Sequence, residues 1–105
     1  MSVAKPLPHD AAPLHVSGKA RYVDDIPVPA NTLSLAFGLS TVARGRVTSL
    51  DLAPVRAAQG VVAVMGPEDL HPIPDVSPGA HDEPLIADGV VRYVGHPLFI
   101  VAATS

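Results

Sequence analysis

The residues of this chain singled out as able to do chemistry are five histidines, the acidic pairs Asp24-Asp25 and Asp82-Glu83, and one Ser-Gly-Lys triplet. The histidines are His9, His15, His71, His81 and His96. No two of them stand four apart, the spacing that puts two imidazoles on one helix face for zinc. His71, His81 and Asp82 are the set that could close around a metal ion, against the ordinary reading of solvated loop histidines. Asp24-Asp25 and Asp82-Glu83 could supply paired carboxylates for acid–base work. Adjacent residues point apart, however, and both pairs lie near prolines, which favours turns. Ser17-Gly18-Lys19 lacks the Gly-rich lead and the preceding strand of a phosphate loop, and Gly38, Gly45 and Gly60 are too widely spaced for a dinucleotide fingerprint. No nucleophile, base and orienting group can be assembled from these positions. No catalytic, cofactor-binding or metal-ligating residue is therefore assigned.

Composition narrows the classes further. A chain of 105 residues is enough for one domain. Apolar residues make up 48% and charged residues 16%, a low charge that suits a piece covering much of its surface with something else. The ordinary small domain with a bland surface fits composition as well. The seven basic residues are scattered and the net charge is −3, so the basic stripe that nucleic acid requires is missing. There is no cysteine, which removes disulfides, thiolate zinc, cysteine-ligated iron–sulfur and a cysteine nucleophile from this chain. The start lacks an apolar signal core and no apolar run approaches a membrane span, so a soluble, cytoplasmic protein is expected.

The elements that would position these residues are short, as 12 prolines and 8 glycines require. Residues 1–17, with Pro6, Pro8 and Pro13 and no periodicity, read as an extended N-terminal arm. A short strand is expected at Gly18–Val23, then a turn through Pro27 and Pro29. Leu33, Leu35, Phe37, Leu39 and Thr41 alternate with small residues, which predicts a strand with one buried face. Arg46–Leu52 reads as a second strand. Asp51 can cap a helix that holds Pro54 in its first turn and stops at Gly60, and Gly60–Met65 reads as a third strand. Residues 66–70 look like one helical turn, and 71–89 like a long loop of the kind that is functional or lies on a partner. Val90–Val94 and Pro97–Ala103 read as strands around a Gly95-His96 turn. Residues 98–103 hold no charge, so that strand needs neighbours on each side and a layer over each face. With the chain ending at Ser105, an unpaired apolar edge at 97–103 is expected. The fold class is α+β, strand-dominated with one short crossover helix, over 18–105.

The order of these segments resembles one family. "GKARYVDDIPVPANTLSLAFGLSTVARGRVTSLDLAPVRAAQGVVAVMGPEDL" is similar to the a/b hammerhead domain of the xanthine dehydrogenase and aldehyde oxidase family, in the molybdenum-binding subunit. "KPLPHDAAPLHVSGKARYVDDIP" looks more like the xanthine dehydrogenase branch than the aldehyde or carbon monoxide branches. "AAQGVVAVMGPEDL" fits the family's Pro-Gly-Val strand, with Gln59 where proline is common. "DGVVRYVGHPLFIVAATS" fits the closing hairpin, with His96 where bacterial members often have glutamine.

The resemblance implies an incomplete hammerhead, a structural module at the N-terminus of a subunit whose enzyme hydroxylates hypoxanthine and xanthine to urate in purine catabolism. It implies molybdenum cofactor (molybdopterin) in the full subunit, and 2Fe-2S, FAD and NAD through a partner FeS/FAD-binding subunit. The Met1 start fits a separate bacterial subunit. The family's catalytic motifs match nothing here, so this segment alone is expected to be inactive. One loop carries over: Asp82-Glu83 matches an acidic pair that follows two substrate-entrance residues in animal members, which places Gly79, Ala80 and His81 at that entrance. Three alternatives stay open: a free-standing interaction or assembly module, the same domain of an aldehyde oxidase-type molybdenum hydroxylase, and a small hydrolase using His81 and Asp82.

Overall fold

In the computed structural model, which describes residues 3–105, the chain forms two units, one up to Ala30 and one from Asn31 to Ser105. The first unit has a short helix, α1 (Ala12–Val16), and a 3₁₀ turn at Val23–Asp25. The arm expected to be extended is thus helical over its second half. The strand expected at Gly18–Val23 is not formed. Gly18 takes φ +74, and the N–H groups of Lys19 and Ala20 fold back onto the Leu14 carbonyl at 2.8 and 3.0 Å. Donors that a ladder would need are spent closing the helix.

The second unit carries two antiparallel sheets. Its elements are β1 (Ser34–Leu39), β2 (Gly45–Arg46), a one-turn helix α2 (Ala53–Arg56), β3 (Val61–Met65), β4 (Val90–Val91) and β5 (Pro97–Ala103). The first sheet has the order β1-β5-β3, and the second pairs β2 with β4. β5 is therefore a central strand, and the unpaired edge expected at 97–103 lies instead on β1 and β3. The uncharged run at 98–103 is explained by this double pairing, since neither edge of β5 meets water.

The face expected to be buried on β1 is open. Leu35 is 71% and Leu39 56% exposed. Facing residues share a side of a sheet, so Leu35 and Phe37 lie level with Ala102 and Ile100, and Met65 with Ile100. All seven residues of β5 are half-buried. Val64, the buried residue of β3, lies level with Val101 and Ala36, so burial falls on the face of β1's small residues, and the chain's own elements supply no layer over Leu35 and Phe37.

The strand expected at Arg46–Leu52 shrinks to Gly45–Arg46. Its possible partner turns away: Val47 N–H still reaches the Gly89 carbonyl at 2.9 Å, but Ala87 N–H goes to Pro97 at 2.7 Å. Residues 47–50 line an open cleft of about 360 Å³ with Leu98 across from them. Asp51 accepts the Ala53 N–H at 3.0 Å in a turn that leads into the helix, but the N-cap residue is Leu52, with no side-chain cap. The helix ends at Arg56, with Ala57 as its C-cap, rather than at Gly60; Gly60 follows with φ +87 and directs the chain into β3.

The core sits where residues 86–96 cross the end of β5. Ile86, Ala87, Val91 and His96 are buried there, and Leu52 and Val64 are the other buried apolar side chains. β1 is tied to this corner beyond its last ladder residue. Ser40 N–H donates to the His96 carbonyl at 2.9 Å and Gly95 N–H to the Ser40 carbonyl at 2.8 Å.

Candidate functional site

Of the residues singled out by type, His81, Asp82 and Glu83 lie on one loop. Pro74 and Leu85, Asp75 and Pro84, and Val76 and Glu83 face each other in a short antiparallel clasp. Leu85 N–H reaches Pro74 at 2.8 Å and Val76 N–H reaches Glu83 at 2.9 Å. The segment expected to be a structureless loop is therefore a closed excursion whose tip is residues 77–82. Gly79, Ala80 and His81 all lie on that tip and all are exposed.

Asp75 holds the tip. Its Oδ1 accepts from the Ser77 amide at 2.9 Å and from the Ser77 hydroxyl at 2.6 Å, and its Oδ2 accepts from the Glu83 amide at 3.2 Å. The Ser77 hydroxyl in turn accepts the His81 N–H at 2.8 Å. The Ser77 hydroxyl bond, with the two amide donors, holds the Asp75 carboxyl below its ordinary range despite some desolvation. His81 has φ +55, left-handed for a residue with a Cβ, and its side chain is 86% exposed. Its Nδ1 lies 3.9 Å from Asp75 Oδ1.

His71, His81 and Asp82 line one open depression of about 410 Å³ together with Asp75, Asp88 and Arg92. The volume suits a small molecule, but the depression is a shallow basin. Among the described residues no three histidine or acidic side chains are close enough to hold a metal ion. A hydrolase dyad of His81 and Asp82 gains no support either, because the carboxylate beside the His81 ring is that of Asp75. Asp24 and Asp25 sit in the 3₁₀ turn, where Asp25 accepts the Tyr22 amide at 2.9 Å, a structural use of the pair. Reasoning from types missed Asp75. The signal was present: an aspartate two residues before a serine is a standard turn former, its carboxylate bonding the backbone two residues on.

His96 is the other chemically notable side chain. It is 2% exposed, stacks on Tyr93 with centroids 4.5 Å apart, and accepts the Arg92 amide at Nδ1. Burial lowers its pKa first and the Arg92 charge adds to this. It is a corner-forming residue inside the core, with no access to a ligand.

With this geometry in place, the chain can be compared with known proteins. The sequence model of the a/b hammerhead domain of aldehyde oxidase and xanthine dehydrogenase matches residues 17–105. The chain belongs to that family. It is 36% identical to a xanthine dehydrogenase of Oryza sativa subsp. japonica over 104 residues, 99% of this chain and 8% of the relative. Quinoline 2-oxidoreductase from Pseudomonas putida 86 superposes with a TM-score of 0.74 at 26% identity, over 100% of this chain and 14% of that one. A Cu,Mo-CO dehydrogenase superposes with a TM-score of 0.72 at 27% identity, over 93% and 13%. The chain thus spans under a tenth of the plant relative's length. The hammerhead of this family member is the strand-dominated α+β unit described above, and no helix among its described residues is long and apolar enough to cross a membrane.

Proposed function

We propose that this chain is a structural module of the molybdenum-binding subunit of a cytoplasmic xanthine dehydrogenase, acting in purine catabolism. In the assembled enzyme, hypoxanthine and xanthine are hydroxylated to urate, and electrons leave through the 2Fe-2S clusters and FAD of a partner subunit to NAD. The observation that carries this reading is the alignment of the whole chain with xanthine dehydrogenases many times its length. The open sheet supports it: Leu35, Phe37 and Leu39 stand exposed on a strand with no charge, as expected of a surface that a larger body covers.

The residues of this chain do not fit the molybdenum cofactor. There is no cysteine, the described side chains form no ligand cluster, and none of them leaves a buried polar atom unpartnered for a cofactor to meet. No chemical step is assigned to this segment. On this reading it scaffolds the remainder of the molybdenum-binding subunit and its contact with the FeS/FAD-binding subunit, and Gly79, Ala80 and His81 line the substrate entrance.

The test is removal of residues 1–60 from the full-length subunit. The scaffold role predicts lost assembly or lost molybdenum and flavin, measured on the purified enzyme. A cofactor-loaded, active deletion variant overturns it. The neighbouring quinoline and carbon monoxide enzymes make substrate choice a separate question. Xanthine should be turned over and aldehydes or N-heterocycles poorly; the reverse order assigns the chain to another molybdenum hydroxylase.

A further inference from the structure

The tip at residues 77–82 has little to hold it by packing. Gly79, Ala80, His81 and Asp82 are exposed and the segment contains Pro78 and a left-handed His81. Ordering such a tip costs backbone entropy at every residue. The bonds that offset this cost are the short backbone clasp and one side chain. The Ser77 hydroxyl has a single proton, and it gives that proton to Asp75 Oδ1. Its lone pairs are then turned toward the His81 N–H, which donates to them at 2.8 Å. Asp75 thus acts on both ends of the tip: on His81 through Ser77, and directly on the Glu83 amide at the exit. What the arrangement presents is one exposed imidazole beside small residues, with the carboxylate 3.9 Å from its Nδ1.

We propose that Asp75 is the positioning residue of this loop, holding the backbone from which the His81 imidazole projects to meet a planar heteroaromatic ligand on its way in. The inference rests on the entrance reading of Gly79, Ala80 and His81 given above. His81 supplies a flat, hydrogen-bonding face at the tip, and Asp75, through Ser77 and the His81 backbone amide, fixes where the residue that carries it stands. Bonds to a charged acceptor are the stronger kind, which is why one carboxylate can order so bare a segment.

The experiment uses the whole enzyme, with xanthine as the probe and three variants: D75A, D75N and H81A. Hydrogen exchange of the peptide spanning 75–85 is measured together with KM and kcat. D75A should speed exchange at the Ser77, His81 and Glu83 amides by roughly tenfold, the scale of one lost charge-assisted hydrogen bond. It should raise KM several-fold with kcat unchanged. D75N keeps an acceptor at Oδ1 and should recover part of both effects. H81A should raise KM alike while Ser77 and Glu83 exchange at the native rate. Unchanged exchange in D75A overturns the positioning role. If H81A raises KM but D75A does not, the inference fails and the entrance reading survives. If exchange rises while neither variant moves KM, the entrance reading fails and carries the inference down with it.

Discussion

The backbone N–H of Arg92 donates to Nδ1 of His96 at 3.1 Å, so that nitrogen must carry a lone pair and no proton. The imidazole is buried, and the His96 backbone N–H donates to the Tyr93 carbonyl at 3.2 Å while its backbone carbonyl accepts from the Ser40 amide at 2.9 Å. One residue thus joins the turn before β5 to the end of β1.

A pH dependence follows from this bond. Burial first, and the Arg92 charge second, lower the pKa of His96 from 6.5. Between the lowered native value and 6.5 the unfolded chain binds more protons than the native one, so stability rises with pH there. His96 therefore costs nothing above about pH 6.5, and stability is lost as pH falls from there toward the native pKa. Urea midpoints measured from pH 5 to 8 should show this slope. H96N, whose side-chain oxygen can accept the same amide, should flatten it; a slope that persists in H96N assigns it to another group.

Asp75 titrates in the opposite sense. Its native pKa lies below 3.8, chiefly through the Ser77 hydroxyl. The loop bonds are then at full strength above the unfolded carboxylate value and are lost as pH falls through the native one. Amide resonances of Ser77 and Glu83 should stay native down to about pH 4 and move together below it. Separate movement at higher pH would show that the two amides are not held by one carboxylate.

Gly38 has no room for a side chain. A Cβ there would run into the Phe99 ring, which lies across the glycine from the central strand. G38A should destabilise the chain by about 1–3 kcal/mol, the usual cost of overpacking. Adding F99L should restore part of the loss, because the two sites share one volume. Additive losses in the double variant would place the effect of G38A in the backbone instead.

Ile86 has no exposed surface and anchors the small core. I86A should cost about 2–5 kcal/mol, a large share of the stability of a domain this size. Thermal melts give the answer: a shift of only a degree or two would mean that the site collapses around the smaller side chain.

Sequence by itself determined the parts whose reasons are local. Period-two alternation placed β1, the uncharged run placed β5, and Asp51 with Pro54 placed the start of α2. The family resemblance rested on segment order, and the match over residues 17–105 bears it out. Tertiary structure decided what depends on partners distant in the chain. Arg46–Leu52 has the composition of a strand, but only Arg46 lies in a ladder and only the Val47 N–H bonds beyond it, to Gly89, because by Ala87 the opposite segment bonds to Pro97 of β5 instead. Leu35 and Leu39 alternate as a buried face does, yet alternation records which side a residue points to and says nothing of what lies against it. β5 is central because both β1 and β3 reach it, a pairing no window of neighbouring residues contains. His96 looks from its Gly-His-Pro context like a surface turn residue, and only the fold, which stacks it on Tyr93 and leaves it 2% exposed, puts it in the core.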